Sequence, residues 1–153
     1  MRKIIFEQIG NIITFILIIF AMIQSVISSP ISSNDHSIIL GNGWIIFIVW
    51  CAIFGVCRYI FSKKIKNYGY NMKKGEFSCE DEREDIISKK SSKISYISMI
   101  FASQVFFVLF FFSSFFILNL TLIKVIAIAL LGAIIIIGFI SYLLAWVVLD
   151  YKY

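Results

Sequence analysis

Residues 94–118 read ISYISMIFASQVFFVLFFFSSFFIL, and residues 122–149 read LIKVIAIALLGAIIIIGFISYLLAWVVL. Each run exceeds the ~20 apolar residues that a helix needs to cross a hydrocarbon layer ~30 Å thick. Neither alternates apolar with polar residues, as the strands of a membrane barrel would. Lipid offers the backbone no hydrogen-bond partners, so both runs are expected as helices. Asn119, Leu120 and Thr121 lie between them, a tight turn that makes the pair an antiparallel hairpin.

Two further apolar stretches lie upstream, at about 9–27 and 44–61. The expected fold is all-α, a polytopic membrane protein whose four transmembrane helices form two antiparallel hairpins in a single membrane domain, 1–153. Composition agrees. Hydrophobic residues make up 60% of the 153 and charged residues 15%, with a mean hydropathy of +0.93. Soluble domains run at about half apolar and a quarter charged. Sixteen Phe and a single Pro exclude a disordered chain.

The basic residues predict the orientation. Arg2 and Lys3 precede the first span, and the loop at 28–43 has neither Lys nor Arg. The segment 58–93 carries Arg58, Lys63, Lys64, Lys66, Lys73, Lys74, Arg83, Lys89, Lys90 and Lys93, and the tail carries Lys152. With both termini in the cytosol of a bacterial inner membrane, thirteen of fourteen basic residues fall on the cytosolic side and Lys124 alone outside. Arg2-Lys3, an apolar run and Val26-Ile27-Ser28 resemble a signal peptide with a weak cleavage site. The run is longer than a usual signal core, so it is read as a span.

The cytosolic loop, 62–93, ends in a helix of its own. Ser78 is placed to cap it, Glu80, Asp81, Glu82, Glu84 and Asp85 fill the first turns, and Lys89, Lys90 and Lys93 follow, an order that suits the helix macrodipole. Asp85 and Lys89 stand at i,i+4. Neither Pro nor Gly interrupts 78–118, so this helix is expected to run into the third span as one rod ~60 Å long at 1.5 Å per residue. Lys89, Lys90 and Lys93 would sit at the lipid phosphates, with the acids projecting into the cytosol.

The string Asp81-Glu82-Arg83-Glu84, then Ile87, Lys90, the small pair Ser91-Ser92 and Lys93 before an apolar span, resembles a signature of small prokaryotic membrane proteins of an uncharacterised domain family. The resemblance covers the centre of the chain specifically and the rest by hydropathy. It implies paired helical hairpins around an acidic–basic helix, and it carries no activity. The family pattern often has Ala where Ser91 stands. For Asp81, Glu82, Arg83 and Glu84 two readings stand: a capped, solvated helix end that orients the protein, or a docking site for a partner.

The basic cluster Lys63, Lys64, Lys66, Lys73 and Lys74 adjoins a span and is interleaved with Tyr68 and Tyr70. Anionic lipid accounts for it, at about 1 kcal/mol for each Lys near the leaflet, and nucleic acid is not required. Within the spans the polar groups include Gln24, Gln104, Ser103, Ser113, Ser114 and Ser141, with no carboxylate near the middle of any span. Proton-coupled exporters need such a group. Bonds between helices are the expected use of Gln24 and Gln104. Gly55 with Cys51, and Gly138 with Ser141 and Ala145, are expected to be small faces where helices approach.

Cys51, Cys57 and Cys79 are read as free thiols, the first two as packing residues, because six residues apart on a helix they cannot bridge. His36 is the single histidine, on a polar loop beside Asp35. No catalytic constellation, metal-ligand spacing or cofactor motif stands out. The functional expectation is a non-enzymatic scaffold, accessory or immunity-type protein that binds another membrane or cytosolic component, or a second copy of itself, through the central charged helix. The alternative is a small oligomeric transporter or channel, whose polar passage would be lined by Gln24, Gln104 and Ser141.

Overall fold

A computed structural model describes residues 2–29, 39–64 and 81–152. They form four helices: α1 Arg2–Ser28, α2 Gly43–Lys64, α3 Glu82–Phe116 and α4 Leu120–Lys152. All four are long and apolar enough to cross a membrane, and no strand occurs among the described residues. The all-α arrangement read from the sequence is the one observed. Large apolar side chains cover the outside: Phe107 is 73% exposed, Phe116 83% and Leu118 99%. Water would not tolerate so continuous an apolar surface, whereas a multi-pass membrane protein requires one.

Local chemistry sets the helix ends. The Ile117 N–H donates to the Ser113 carbonyl at 3.0 Å, and extended backbone there stops α3. Asn119 opens α4, its Oδ1 accepting from the N–H of Thr121 at 2.9 Å and of Leu122 at 3.4 Å, as an N-cap does. The start of α2 is capped from another helix. Gln24 Oε1 on α1 accepts the Gly43 N–H at 2.6 Å, and the Trp44 indole donates to Ser25 Oγ at 2.7 Å. Gln24 thus bonds between elements, as expected.

Both hairpins are present. Across the bundle the helices take the order α2, α1, α4, α3. Each seam closes on a glycine. A Cβ on Gly10 would come within 2.0 Å of the Phe54 ring, one on Gly132 within 2.2 Å of Ile19, and one on Gly138 within 2.6 Å of the Met99 sulfur. The Gly138 seam was expected. Its buried face is Gly138, Tyr142, Ala145 and Trp146, with Ser141 half-buried beside it.

The face around Gly55 and Cys51 differs from expectation. Nothing lies within 4 Å of a Cβ built on Gly55, and both Cys51 and Cys57 are exposed. α2 turns its aromatic side to α1 instead: Phe6 stacks on Phe61 at 4.4 Å, and the Trp50 indole donates to Thr14 Oγ1 at 2.9 Å. Large rings bury more area than a small-residue face, and Gly10 makes room for them.

The third helix is also shorter than expected at its start. Asp81 has extended backbone and its carbonyl accepts the Asp85 N–H at 3.2 Å, so the helix begins at Glu82. Ser78 and Glu80, expected at the helix start, lie outside the described residues. Thirty-five residues give a rod of ~52 Å. It does not project alone, because the first turns of α1 and the last turns of α4 run beside its charged end.

Candidate functional site

The end of the bundle that carries both termini and the start of α3 holds the core. Ile4, Ile87, Tyr142 and Trp146 form one buried apolar cluster, with Leu149 packed against it. Its residues come from α1, α3 and α4, one short contribution from each. Polar side chains are buried with them: Lys3, Glu7, Gln8, Ser88 and Ser91. Ser88 Oγ and the Tyr142 hydroxyl share a hydrogen bond of 3.2 Å. Ser91 Oγ and the Trp146 indole nitrogen are buried with no hydrogen-bond partner among the described residues.

Three ion pairs tie the helices together around this cluster. Lys3 Nζ meets Glu84 at 2.7 Å and joins α1 to α3. The Arg58 guanidinium donates to Glu7 at 2.9 Å and joins α2 to α1, with Glu7 2% exposed. Arg83 donates to the Asp150 carboxylate at 3.1 Å and to its backbone carbonyl at 2.6 Å, joining α3 to α4. A buried charge persists when paired and hydrogen-bonded, and losing one partner costs far more than the pair contributes. The fourth pair, Asp85 with Lys89, is an exposed i,i+4 bridge as expected, and bridges of that kind contribute at most about 1 kcal/mol.

This geometry corrects the reading of residues 81–84 as a uniform projecting strip. Arg83, itself exposed, reaches across to Asp150, and the half-buried Glu84 turns to Lys3, since α4 and α1 extend far enough to meet them. Asp81 and Glu82 are exposed, as are Lys89, Lys90 and Lys93. Lys63 is exposed with its Nζ 4.6 Å from the Tyr59 ring centre. The Lys64 side chain, Lys66, Lys73 and Lys74, together with Asp35, His36 and Cys79, lie outside the described residues.

The polar groups expected to line a passage are not brought together. Gln24 caps α2, Gln104 is exposed on α3, and Ser141 is half-buried on α4. Ser103, Ser113 and Ser114 each donate to a carbonyl of their own helix three residues back. Beyond Ser103, the groove between α3 and α4 is walled by Phe106, Phe110, Leu130 and Ile134 and is almost wholly apolar. Among the described residues, no group of three His, Cys, Asp or Glu side chains is placed to hold a metal ion.

Sequence reasoning missed Glu7, Gln8, Trp146 and Asp150. Glu7 sits where the apolar run of α1 begins, away from the middle of the span where an intramembrane carboxylate draws attention. The signal available was Lys3, Glu7 and Gln8 at helical spacing just before that run. Comparison with protein-family models, curated proteins and solved structures matches the chain to none of them.

Proposed function

We propose that this protein is a non-enzymatic scaffold of the bacterial inner membrane, an accessory or immunity-type component. It presents a pre-ordered cytosolic face to another membrane or cytosolic protein. The observation that carries the reading is the position of the core. A bundle with its close packing and three interhelical ion pairs at one end invests its order there, and the positive-inside orientation assigns thirteen of the fourteen basic residues of the sequence to that side of the membrane. Scattered polar residues and an apolar groove at the other end support a scaffold over a transport pathway. The central acidic–basic segment accords with the small prokaryotic membrane proteins that it resembles.

The working surface within that face is the exposed set Asp81 and Glu82 with Lys89, Lys90 and Lys93. Arg83 and Glu84 hold this surface in place through Asp150 and Lys3. The test is a photo-crosslinker at Glu82 in native membranes, compared with the same label in Asp81→Lys and Lys89→Glu backgrounds. A single crosslinked partner that both reversals abolish supports docking. The same absence of a specific crosslink in all three, in cells where the protein remains functional, overturns it.

A further inference from the structure

We infer that a cleft between α1 and α3, floored by α4, is a seat for the ester region and the upper methylenes of one acyl chain of a phospholipid from the cytosolic leaflet. The cleft exists because α1 and α3 both lie on α4 and make little contact with each other. Its volume is about 220 Å³. Gln8 from α1, Ser92 from α3 and Tyr142 from α4 line the charged end, and the one hydroxyl deeper in, Ser95, is turned onto the Gly138 carbonyl at 2.7 Å. Deeper in, the walls are Met99, Ile135 and Phe139. Polar groups above and apolar groups below is the order in which a phospholipid presents its esters and its chain.

Charge completes the match. Lys89 lies three residues before Ser92 and seven before Tyr96, so it stands on the same face of α3, one turn nearer the solvent. Its side chain is 74% exposed, on the solvent side of the cleft mouth, where a lipid phosphate would lie. The Lys3–Glu84 pair closes the cleft toward the terminus, which leaves the lateral opening between α1 and α3 as the entry. That opening faces the bilayer, where the occupant is the solvent. This inference rests on the membrane orientation proposed above and shares Lys89 with the docking surface proposed there; the cleft itself needs no protein partner.

The experiment is native mass spectrometry of the full chain after delipidation and titration with phosphatidylglycerol, phosphatidylcholine or a free fatty acid. One phosphatidylglycerol per chain is expected to survive, bound more tightly than phosphatidylcholine or the fatty acid. Ser92→Phe blocks the polar mouth and Ile135→Phe fills the deep end, and each should weaken retention about tenfold or more. Ser114→Phe, exposed on α3 at the far end, should leave it unchanged, and Lys89→Gln should remove the preference for the anionic lipid alone. Circular dichroism of each variant separates loss of the site from loss of the fold. Wild-type retention in both cleft variants while they keep their helical spectrum, or equal loss in Ser114→Phe, would overturn the proposal, as would free fatty acid binding as tightly as phosphatidylglycerol.

Discussion

The two ends of this bundle are built on different principles. At the charged end, Trp146, Tyr142, Ile87 and Ile4 pack together, and ion pairs join each helix to another. At the other end, short capping bonds from Gln24 and Asn119 fix the hairpins, and residues such as Phe107 and Phe116 face outward. Lipid tails are as apolar as Leu or Phe, so burying such residues between helices inside a bilayer yields little. Water at the charged end restores the hydrophobic driving force. The difference teaches that this protein folds its span ends as a small aqueous core and leaves its lipid-embedded half loosely decorated.

Substitutions can break that contrast, and the largest effect should come from the core. Trp146→Ala removes one of the largest fully buried side chains and should cost about 3–5 kcal/mol. Phe107→Ala, at 73% exposure, should change stability by less than about 0.5 kcal/mol. Unfolding in mixed micelles, followed by far-ultraviolet circular dichroism, measures both. Equal costs would erase the distinction between the ends.

Next comes the buried pair. Arg58→Ala takes the cation from Glu7, a carboxylate 2% exposed, and should cost about 3 kcal/mol. The double variant Glu7→Leu with Arg58→Met should be markedly more stable than Arg58→Ala, because no buried charge is left behind. An Arg58→Ala cost of about 1 kcal/mol or less would place the pair among ordinary surface bridges.

Two glycines sharpen the comparison within one hairpin. Gly10→Ala drives a methyl into the Phe54 ring and should cost about 1–3 kcal/mol. Gly55→Ala meets open space on a helix and should stabilise by up to about 1 kcal/mol. A cost at Gly55 similar to that at Gly10, measured in micelles, would mean that its face is covered. A small effect is also expected at Ser91, whose buried hydroxyl has no partner among the described residues. Ser91→Ala should be neutral or stabilising by less than about 1 kcal/mol, since it removes an unsatisfied group.

What was legible in the sequence follows from the range of each force. The four spans were readable because transfer into lipid is summed residue by residue along the chain. The order of charges in α3 was readable because the macrodipole and the Asp85–Lys89 spacing are local. The spatial order α2, α1, α4, α3 was not, because helices apolar on every side do not show which face meets a neighbour. Gly55 and Cys51 looked like a seam and Gly10 did not, yet the deciding atom is the Phe54 ring, far away in the chain. The pairings of Glu7 with Arg58 and Arg83 with Asp150 likewise join residues 51 and 67 positions apart. Residues 81–84 therefore read as one charged strip, when two of them are structural.

The central claim is that the charged end is a packed unit and not a set of solvated helix ends. Hydrogen–deuterium exchange over residues 86–93 of α3, in lipid nanodiscs, tests it most directly. In the proposed orientation these residues lie at or beyond the headgroups, where the bilayer alone does not shield them. The account predicts slow exchange at Ile87, Ser88 and Ser91, accelerated together with residues 3–8 of α1 by Trp146→Ala. Rapid exchange of this segment in the wild-type protein, at the rate of a frayed helix end and indifferent to Trp146, would contradict it.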